Sequence, residues 1–145
     1  MKAPHEQQVA AEGERTQRHI LFLQGPASPF FSRLGAALKA RGHRVDKINL
    51  NLGDRLFWRG RASAYRGRFT RWQSYLEKRF DREPITDLVL FGDCRPYHRA
   101  AVELARPRGI AVHVFEEGYL RPDWVTMERG GVNGFSSLPT TASEI

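Results

Sequence analysis

The stretch TDLVLFG at residues 86–92 decides the fold. Four consecutive apolar residues followed by a glycine are typical of a short strand that is buried on both faces. The other strand patterns lie at residues 19–24, 45–50 and 110–115. A continuous apolar run, rather than an alternating one, favours a sheet that is covered on both sides.

Helical patterns connect these predicted strands. One helix begins after Ser28 and Pro29, which suit an N-cap and a first turn, and it ends at Gly42. A second helix is predicted over 97–106. Strands that alternate with helices predict an α/β fold with a Rossmann-like parallel sheet of four strands.

The composition excludes several classes of protein. The 145 residues suit one domain, and the single cysteine, Cys94, excludes a disulfide scaffold; we expect it to be a small buried filler. No glycine-rich dinucleotide fingerprint follows the first strand, and the five histidines lack metal-ligand spacing, which disfavours redox and metal enzymes. The apolar runs are too short to span a bilayer, and the net charge of +7 indicates an anionic partner.

The positive charge is concentrated in residues 54–82, which hold nine basic and three acidic side chains together with seven aromatic ones. Three interpretations stay open for this segment. Phe69, Trp72, Leu76 and Phe80 could form a core-facing stripe with solvated arginines around it. The same residues suit an anionic lipid surface, and interleaved arginines and aromatics also suit single-stranded nucleic acid.

The predicted strands end in polar residues or glycine, at the edge where parallel sheets bind ligands. These strand ends are Gln24-Gly25, 49–51, Gly92-Asp93 and Glu116-Glu117-Gly118. Asp93 is followed by Arg95 and His98, and the glutamates are followed by Tyr119 and Arg121. Two adjacent carboxylates near an arginine can divide into an ionised acid and one of raised pKa. The alternative is that these acids cap helices or pair with arginines, and that His98 is structural.

Several motifs resemble the capsular polysaccharide biosynthesis and export protein family. They are QGP at 24–26, FGDCRPYH at 91–98, FEEGYLRP at 115–122, WVTME at 124–128 and GVNGF at 131–135. The resemblance covers about residues 19–138. It leaves 1–18 as a disordered leader and 139–145 as a tail that departs from the family.

This resemblance implies the N-terminal, acceptor-side half of a GT-B-type glycosyltransferase, whose two Rossmann-like halves face each other across a cleft. Such an enzyme transfers the sugar acid Kdo from CMP-Kdo, with retention of β configuration, to a phosphatidylglycerol-type lipid that starts the capsule linker. No cofactor is implied beyond the donor, whose site would lie mostly in the other half. The chain alone is therefore expected to be inactive.

The resemblance also implies site residues, a location and partners. Glu117 would be the catalytic carboxylate, with Glu116 as its neighbour. The expected substrate-binding residues are Gln24, Gly25, Asp93, Arg95, His98, Gly118, Tyr119 and Arg121. The protein would be cytoplasmic and peripheral on a Gram-negative inner membrane, with the anionic lipid acceptor docking on residues 54–82 and other capsule assembly and export proteins as partners. Nucleic acid is not expected, although a nucleic-acid-binding protein and a non-catalytic binding module remain the two rival hypotheses.

Overall fold

The computed structural model describes residues 16–117 and 125–129. Its six strands are β1 (His19–Phe22), β2 (Arg44–Asn49), β3 (Ser63–Ala64), β4 (Asp87–Phe91), β5 (Ala111–Glu117) and β6 (Val125–Arg129). Its α-helices are α1 (Phe30–Ala40), α2 (Leu52–Leu56), α3 (Trp72–Arg82) and α4 (Pro96–Ala105), and short 3-10 turns cover Phe69–Arg71 and Arg106–Arg108.

The strands form one sheet in the order β3-β2-β1-β4-β5-β6. The first five strands in this order are parallel, which confirms the predicted Rossmann-like α/β fold. β6 pairs with β5 in the antiparallel direction. The sequence did not predict β3 or β6, because neither segment carries a continuous apolar run.

Helices cover both faces of the sheet, as the apolar strands require. On one face, α1 places Phe31 against Phe22 and Phe115, and Trp58 completes this aromatic cluster. On the other face, α3 and α4 pack on the alternate side chains of the same strands. Within the described residues, no helix is long and apolar enough to cross a membrane.

The turn around α1 follows the predicted chemistry with one difference. Pro29, not Ser28, occupies the N-cap position, and the Ser28 hydroxyl accepts a hydrogen bond from the Phe30 amide at 3.4 Å. Gly42 lies just past the helix end with a φ of 89°, a left-handed conformation that favours glycine. Arg18, the last residue of the predicted leader, forms a bidentate ion pair with Asp87.

The segment of residues 54–82 contributes most of its aromatic side chains to the core. Trp72, Leu76 and Phe80 form the predicted core-facing stripe along α3, and Trp58 is buried on the opposite face of the sheet. Phe69 is the exception, since 47% of it is exposed and its ring packs on Tyr97. The arginines are largely solvated; the exposed ones are Arg55, Arg59, Arg61, Arg66, Arg68, Arg71 and Arg82.

Candidate functional site

The topology places the candidate site between the carboxyl ends of β1 and β4. The chain runs outward from β1 to β2 on one side, and β4 and β5 lie on the other side, so the order of the strands reverses at this point. Open α/β sheets bind ligands in the crevice at such a reversal. Gln24 and Gly25 leave β1 here, and Gly92 and Asp93 leave β4 beside them. The Phe91 amide donates to the Gln24 carbonyl at 3.2 Å and joins the two strand ends.

His98 lies beneath this crevice, in the first turns of α4, and is fully buried. Its Nδ1 is hydrogen-bonded to the Gly92 carbonyl, which can only accept, so Nδ1 carries the proton. Burial, together with the charges of Arg95 and Lys47, lowers the pKa of His98 to about 4. His98 is therefore a neutral imidazole whose buried Nε2 is an acceptor with no partner among the described residues.

Asp93 is buried at the end of β4 and accepts a hydrogen bond from the Cys94 thiol at 3.4 Å. Cys94 itself is exposed, so our expectation of a buried filler was wrong. The reason is that the chain leaves the sheet at Gly92, whose φ is 71°. The hydrogen bond to Asp93 raises the pKa of the thiol, and the negative charge of Glu116 raises it further. Cys94 is thus kept protonated, which disfavours a role as a nucleophile.

The two glutamates lie within a strand rather than in a loop. β5 continues through Glu117, where the sequence predicted an end at Phe115. Glu116 pairs with Thr126 and Glu117 with Val125 in the antiparallel ladder. We had expected the two carboxylates to share one site. Successive side chains of a strand point to opposite faces of the sheet, so they do not. Glu116 is the one that acts on the thiol beside Asp93.

The other predicted site residues differ in what surrounds them. A Cβ atom on Gly25 would lie 2.7 Å from the Phe31 ring, so packing alone requires glycine there. Arg95 is exposed at the N-cap position of α4. Gly118, Tyr119 and Arg121 lie outside the described residues.

Sequence reasoning missed Lys47, which is buried in β2 at the same edge of the sheet. The Gly25 loop, Trp58 and Asp54 line a small cavity with it. The available signal was a lysine inside a predicted strand, directly before Ile48 and two residues after Val45. Its burial depends on Trp58, eleven residues further along the chain, and local pattern analysis does not register such a contact.

A cluster of His19, Asp46 and Glu83 could in principle hold a metal ion, since its ligand atoms lie within 4.8 Å of one another. It lies at the opposite, amino-terminal edge of the sheet. Arg44 contacts both carboxylates, at 3.2 and 3.5 Å, and Arg79 forms a second ion pair with Glu83. With two guanidinium groups on the two carboxylates, the cluster fits an ion-pair network better than a metal site.

An exposed surface on α2 lies next to the carboxyl end of β2. Leu52 is 82% exposed and Leu56 is 76% exposed, one helical turn apart. Arg55 lies between them in the sequence, and Leu52, Arg55 and Arg66 line a cavity of about 180 Å³. We call Leu52, Arg55, Leu56 and Arg66 the α2 surface. Leucines exposed among arginines are typical of a surface that meets lipid headgroups. Burial of Trp58 and Trp72 leaves Phe69 as the one exposed aromatic ring in residues 54–82 that could stack on a base.

Comparison with known proteins supports the motif resemblance. Residues 86–145 match the family described as capsule polysaccharide biosynthesis protein. The chain is 42% identical over 126 residues to the capsule polysaccharide export protein KpsS of Escherichia coli, a match that covers 84% of this chain and 32% of that protein. It is 39% identical over 127 residues to the capsule polysaccharide modification protein LipB of Neisseria meningitidis serogroup A, covering 86% of this chain and 30% of the relative. The chain thus spans about a third of the length of these relatives.

Proposed function

Because the chain belongs to the capsule polysaccharide biosynthesis family, we propose that it is the acceptor-side half of a capsule glycosyltransferase. The reaction we propose for the complete enzyme is transfer of Kdo from CMP-Kdo to a phosphatidylglycerol-type lipid. The observation that carries this proposal is the buried carboxylate of Asp93 at the strand reversal, near Glu116 and above the neutral His98. Acidic side chains at this edge of a Rossmann-like sheet are well placed to act on a bound sugar.

The chemistry needs a carboxylate that attacks or stabilises an oxocarbenium-like centre. Glu117 is our candidate for this role on the family motif. Glu116 and Asp93, which both act on the Cys94 thiol, are the candidates that the geometry favours for contact with the substrate. The role we propose for His98 is to hold the Gly92 carbonyl next to Asp93 through its Nδ1 hydrogen bond, because the residue is fully buried and stays uncharged near neutral pH.

The α2 surface supports the proposal of a lipid acceptor and of peripheral binding to the inner membrane. Its leucines can enter the headgroup region, and each arginine contributes about 1 kcal/mol against anionic lipid. The cavity between Leu52 and Arg66 lies beside this surface, where a phosphate headgroup would meet Arg55 and Arg66. The names of the relatives refer to capsule export and modification, and we extend the proposal to joint action with other capsule assembly proteins.

The test is a chimera in which this chain replaces the matching third of the Escherichia coli relative. Kdo transfer from CMP-Kdo to phosphatidylglycerol vesicles is measured for the chimera and for Glu117→Gln, Glu116→Gln and Asp93→Asn. Glu103→Gln, an exposed glutamate on α4, is the matched control. We expect Glu117→Gln to lower transfer at least a hundredfold while the melting temperature and the control remain near those of the parent chimera.

Two other outcomes separate the alternatives. Near-normal transfer by Glu117→Gln, with a large loss in Asp93→Asn or Glu116→Gln, moves the catalytic role to the carboxylates beside the thiol. A folded chimera that transfers no Kdo, yet still binds phosphatidylglycerol vesicles, favours the non-catalytic binding module.

A further inference from the structure

Lys47 is a buried cation with few partners. It lies in β2, opposite Phe22 of β1, and only 2% of it is exposed. A lysine ammonium has three N–H donors. Among the described residues, Lys47 Nζ makes one hydrogen bond, to the Ile48 carbonyl at 3.5 Å, which is long for such a bond.

The charged groups around Lys47 compensate its charge only in part. The ring of Trp58 lies 5.9 Å from Nζ, within the range of a cation–π contact. Asp54 attracts the ammonium through space, while its Oδ2 accepts a hydrogen bond from the Leu50 amide. Burial outweighs this attraction and lowers the pKa of Lys47 to about 8. On the other side, the charge of Lys47 acts on His98, which is neutral.

Lys47 lines a cavity near the carboxyl-terminal edge of the sheet. The loop after β1 forms one wall through Gly25, Pro26 and Ser28, and Asp54 and Trp58 contribute to the others. Its volume of about 10 Å³ is enough for about one water molecule or one oxygen atom of a ligand. A ligand held against the Gly25 loop would therefore reach Lys47 with one oxygen.

A buried lysine is stable as a cation only when another charge compensates it. Among the described residues, the protein supplies the attraction of the Asp54 carboxylate without an ion pair, and one aromatic ring. Two of the three N–H donors of the ammonium therefore have no protein partner there. We propose that Lys47 binds an anionic oxygen of the ligand, from a carboxylate or a phosphate group, through the cavity behind the Gly25 loop. This inference rests on the proposed function for the identity of the anion, a sugar acid or a phosphate ester, but not for anion binding itself.

The direct test is a titration of Lys47 by NMR with [ε-¹³C]lysine. The sequence has four lysines, of which Lys39 and Lys78 are exposed and serve as internal controls. The whole chain is titrated from pH 6 to 11 with and without inorganic phosphate, at constant ionic strength set with sodium chloride. An anion that binds only the charged form raises the apparent pKa of the amine, and we expect a rise of one unit or more for Lys47 alone.

A second arm uses variants and a second anion. Lys47→Met keeps the length of the side chain without the charge, and we expect at least tenfold weaker phosphate binding by calorimetry, with Lys39→Met unchanged. The titration is repeated with sodium acetate in place of phosphate. If only acetate raises the apparent pKa of Lys47, the bound oxygen belongs to a carboxylate, and if only phosphate raises it, the oxygen belongs to a phosphate group. If Lys47→Met does not fold, the titration of the unmodified chain decides by itself.

The inference is overturned if neither anion moves the Lys47 titration, or if Lys47→Met binds phosphate as the unmodified chain does. Its failure is distinct from failure of the proposed function. A Lys47 shift in a protein whose chimera transfers no Kdo retains the anion site and rejects the transferase. Kdo transfer without any Lys47 shift retains the transferase and rejects the anion site.

Discussion

His98 shows how the environment of one residue fixes its chemistry. An imidazole in water changes charge near pH 6.5, but His98 is fully buried and donates through Nδ1 to the Gly92 carbonyl. Lys47 and Arg95 add positive charge nearby, and the pKa is lowered to about 4 although Asp93 acts in the opposite direction. At physiological pH the residue is therefore a neutral imidazole that donates a hydrogen bond through Nδ1 and does not act as a general acid.

This lowered pKa predicts that acid destabilises the fold. Between pH 6.5 and pH 4, the unfolded chain binds a proton at His98 and the native chain does not, so the free energy of unfolding falls as the pH falls. The pKa values imply a loss of about 3 kcal/mol at pH 4 from this residue. In His98→Asn, an amide can still donate to Gly92 but does not titrate, and we expect that part of the pH dependence to disappear.

Urea unfolding at intervals from pH 4 to 6.5 measures the difference between the two proteins. The pKa values of the Asp46 and Asp87 carboxyl groups are lowered from 3.8, so these groups stabilise the fold at pH values above 3.8. This stabilisation is lost as the pH falls through their lower native pKa values, equally in both proteins. If the free energies of unfolding of the unmodified chain and of His98→Asn change with pH in parallel, native His98 takes up protons in this range.

At the level of elements, Trp72 joins α3 to α4. It is fully buried, and its Nε1 donates to the Tyr97 carbonyl at 2.8 Å. Its ring also contacts Tyr65, with centroids 4.9 Å apart, and Tyr97 at 5.3 Å. Trp72→Phe removes the hydrogen bond and leaves a void, so we expect a loss of about 1–3 kcal/mol in the free energy of unfolding.

The matched control for this substitution is Phe69→Leu, because Phe69 lies three residues earlier and is about half exposed. Its expected effect is within about 0.5 kcal/mol. Equal losses in the two variants, measured by urea unfolding, would mean that Trp72 does not anchor the helix pair.

The sequence was sufficient for those elements whose signal is local. The runs LVLF and ILFL predict strands because each buries both faces, and Gly42 marks a helix end because its backbone conformation favours glycine. β3 could not be predicted in this way, because Ser63 and Ala64 are held by backbone pairing with β2. β5 extends through two glutamates because β6 pairs with it, and the apolar pattern of β5 itself does not reveal that partner.

The same distinction applies to the candidate site. The position of Gln24, Gly25 and Asp93 at one edge of the sheet was predictable, because the strand ends of a parallel sheet meet at one edge. Lys47 was not, because its burial is produced by Trp58 and by the loop after β1, both remote in sequence. The opposite orientations of Glu116 and Glu117 follow from the extension of β5, which the sequence did not reveal.

For the whole molecule, a net positive charge is combined with an exposed apolar surface next to the carboxyl end of β2. The net charge is +7, and the α2 surface adds two leucines that are more than three-quarters exposed. In the membrane binding that we propose, electrostatic attraction would bring the protein to anionic membranes, and inserted leucines would hold it there. The arginines and the leucines of the α2 surface would contribute differently to binding, and each pair can be substituted separately.

The last prediction uses vesicle binding to separate these contributions. The unmodified chain should bind phosphatidylglycerol vesicles at low salt and release as the ionic strength rises, because the attraction is screened. Arg55→Gln with Arg66→Gln should weaken binding about thirtyfold if each arginine contributes about 1 kcal/mol. Leu52→Ser with Leu56→Ser should weaken binding without changing its salt dependence, and neither pair should lower the melting temperature, because the leucines and arginines are exposed. Lys39→Gln with Lys78→Gln removes the same charge from α1 and α3 and serves as the control. Equal binding to neutral and anionic vesicles would refute the electrostatic part, and equal losses in the arginine and lysine pairs would mean that net charge, rather than the α2 surface, directs the protein to the membrane.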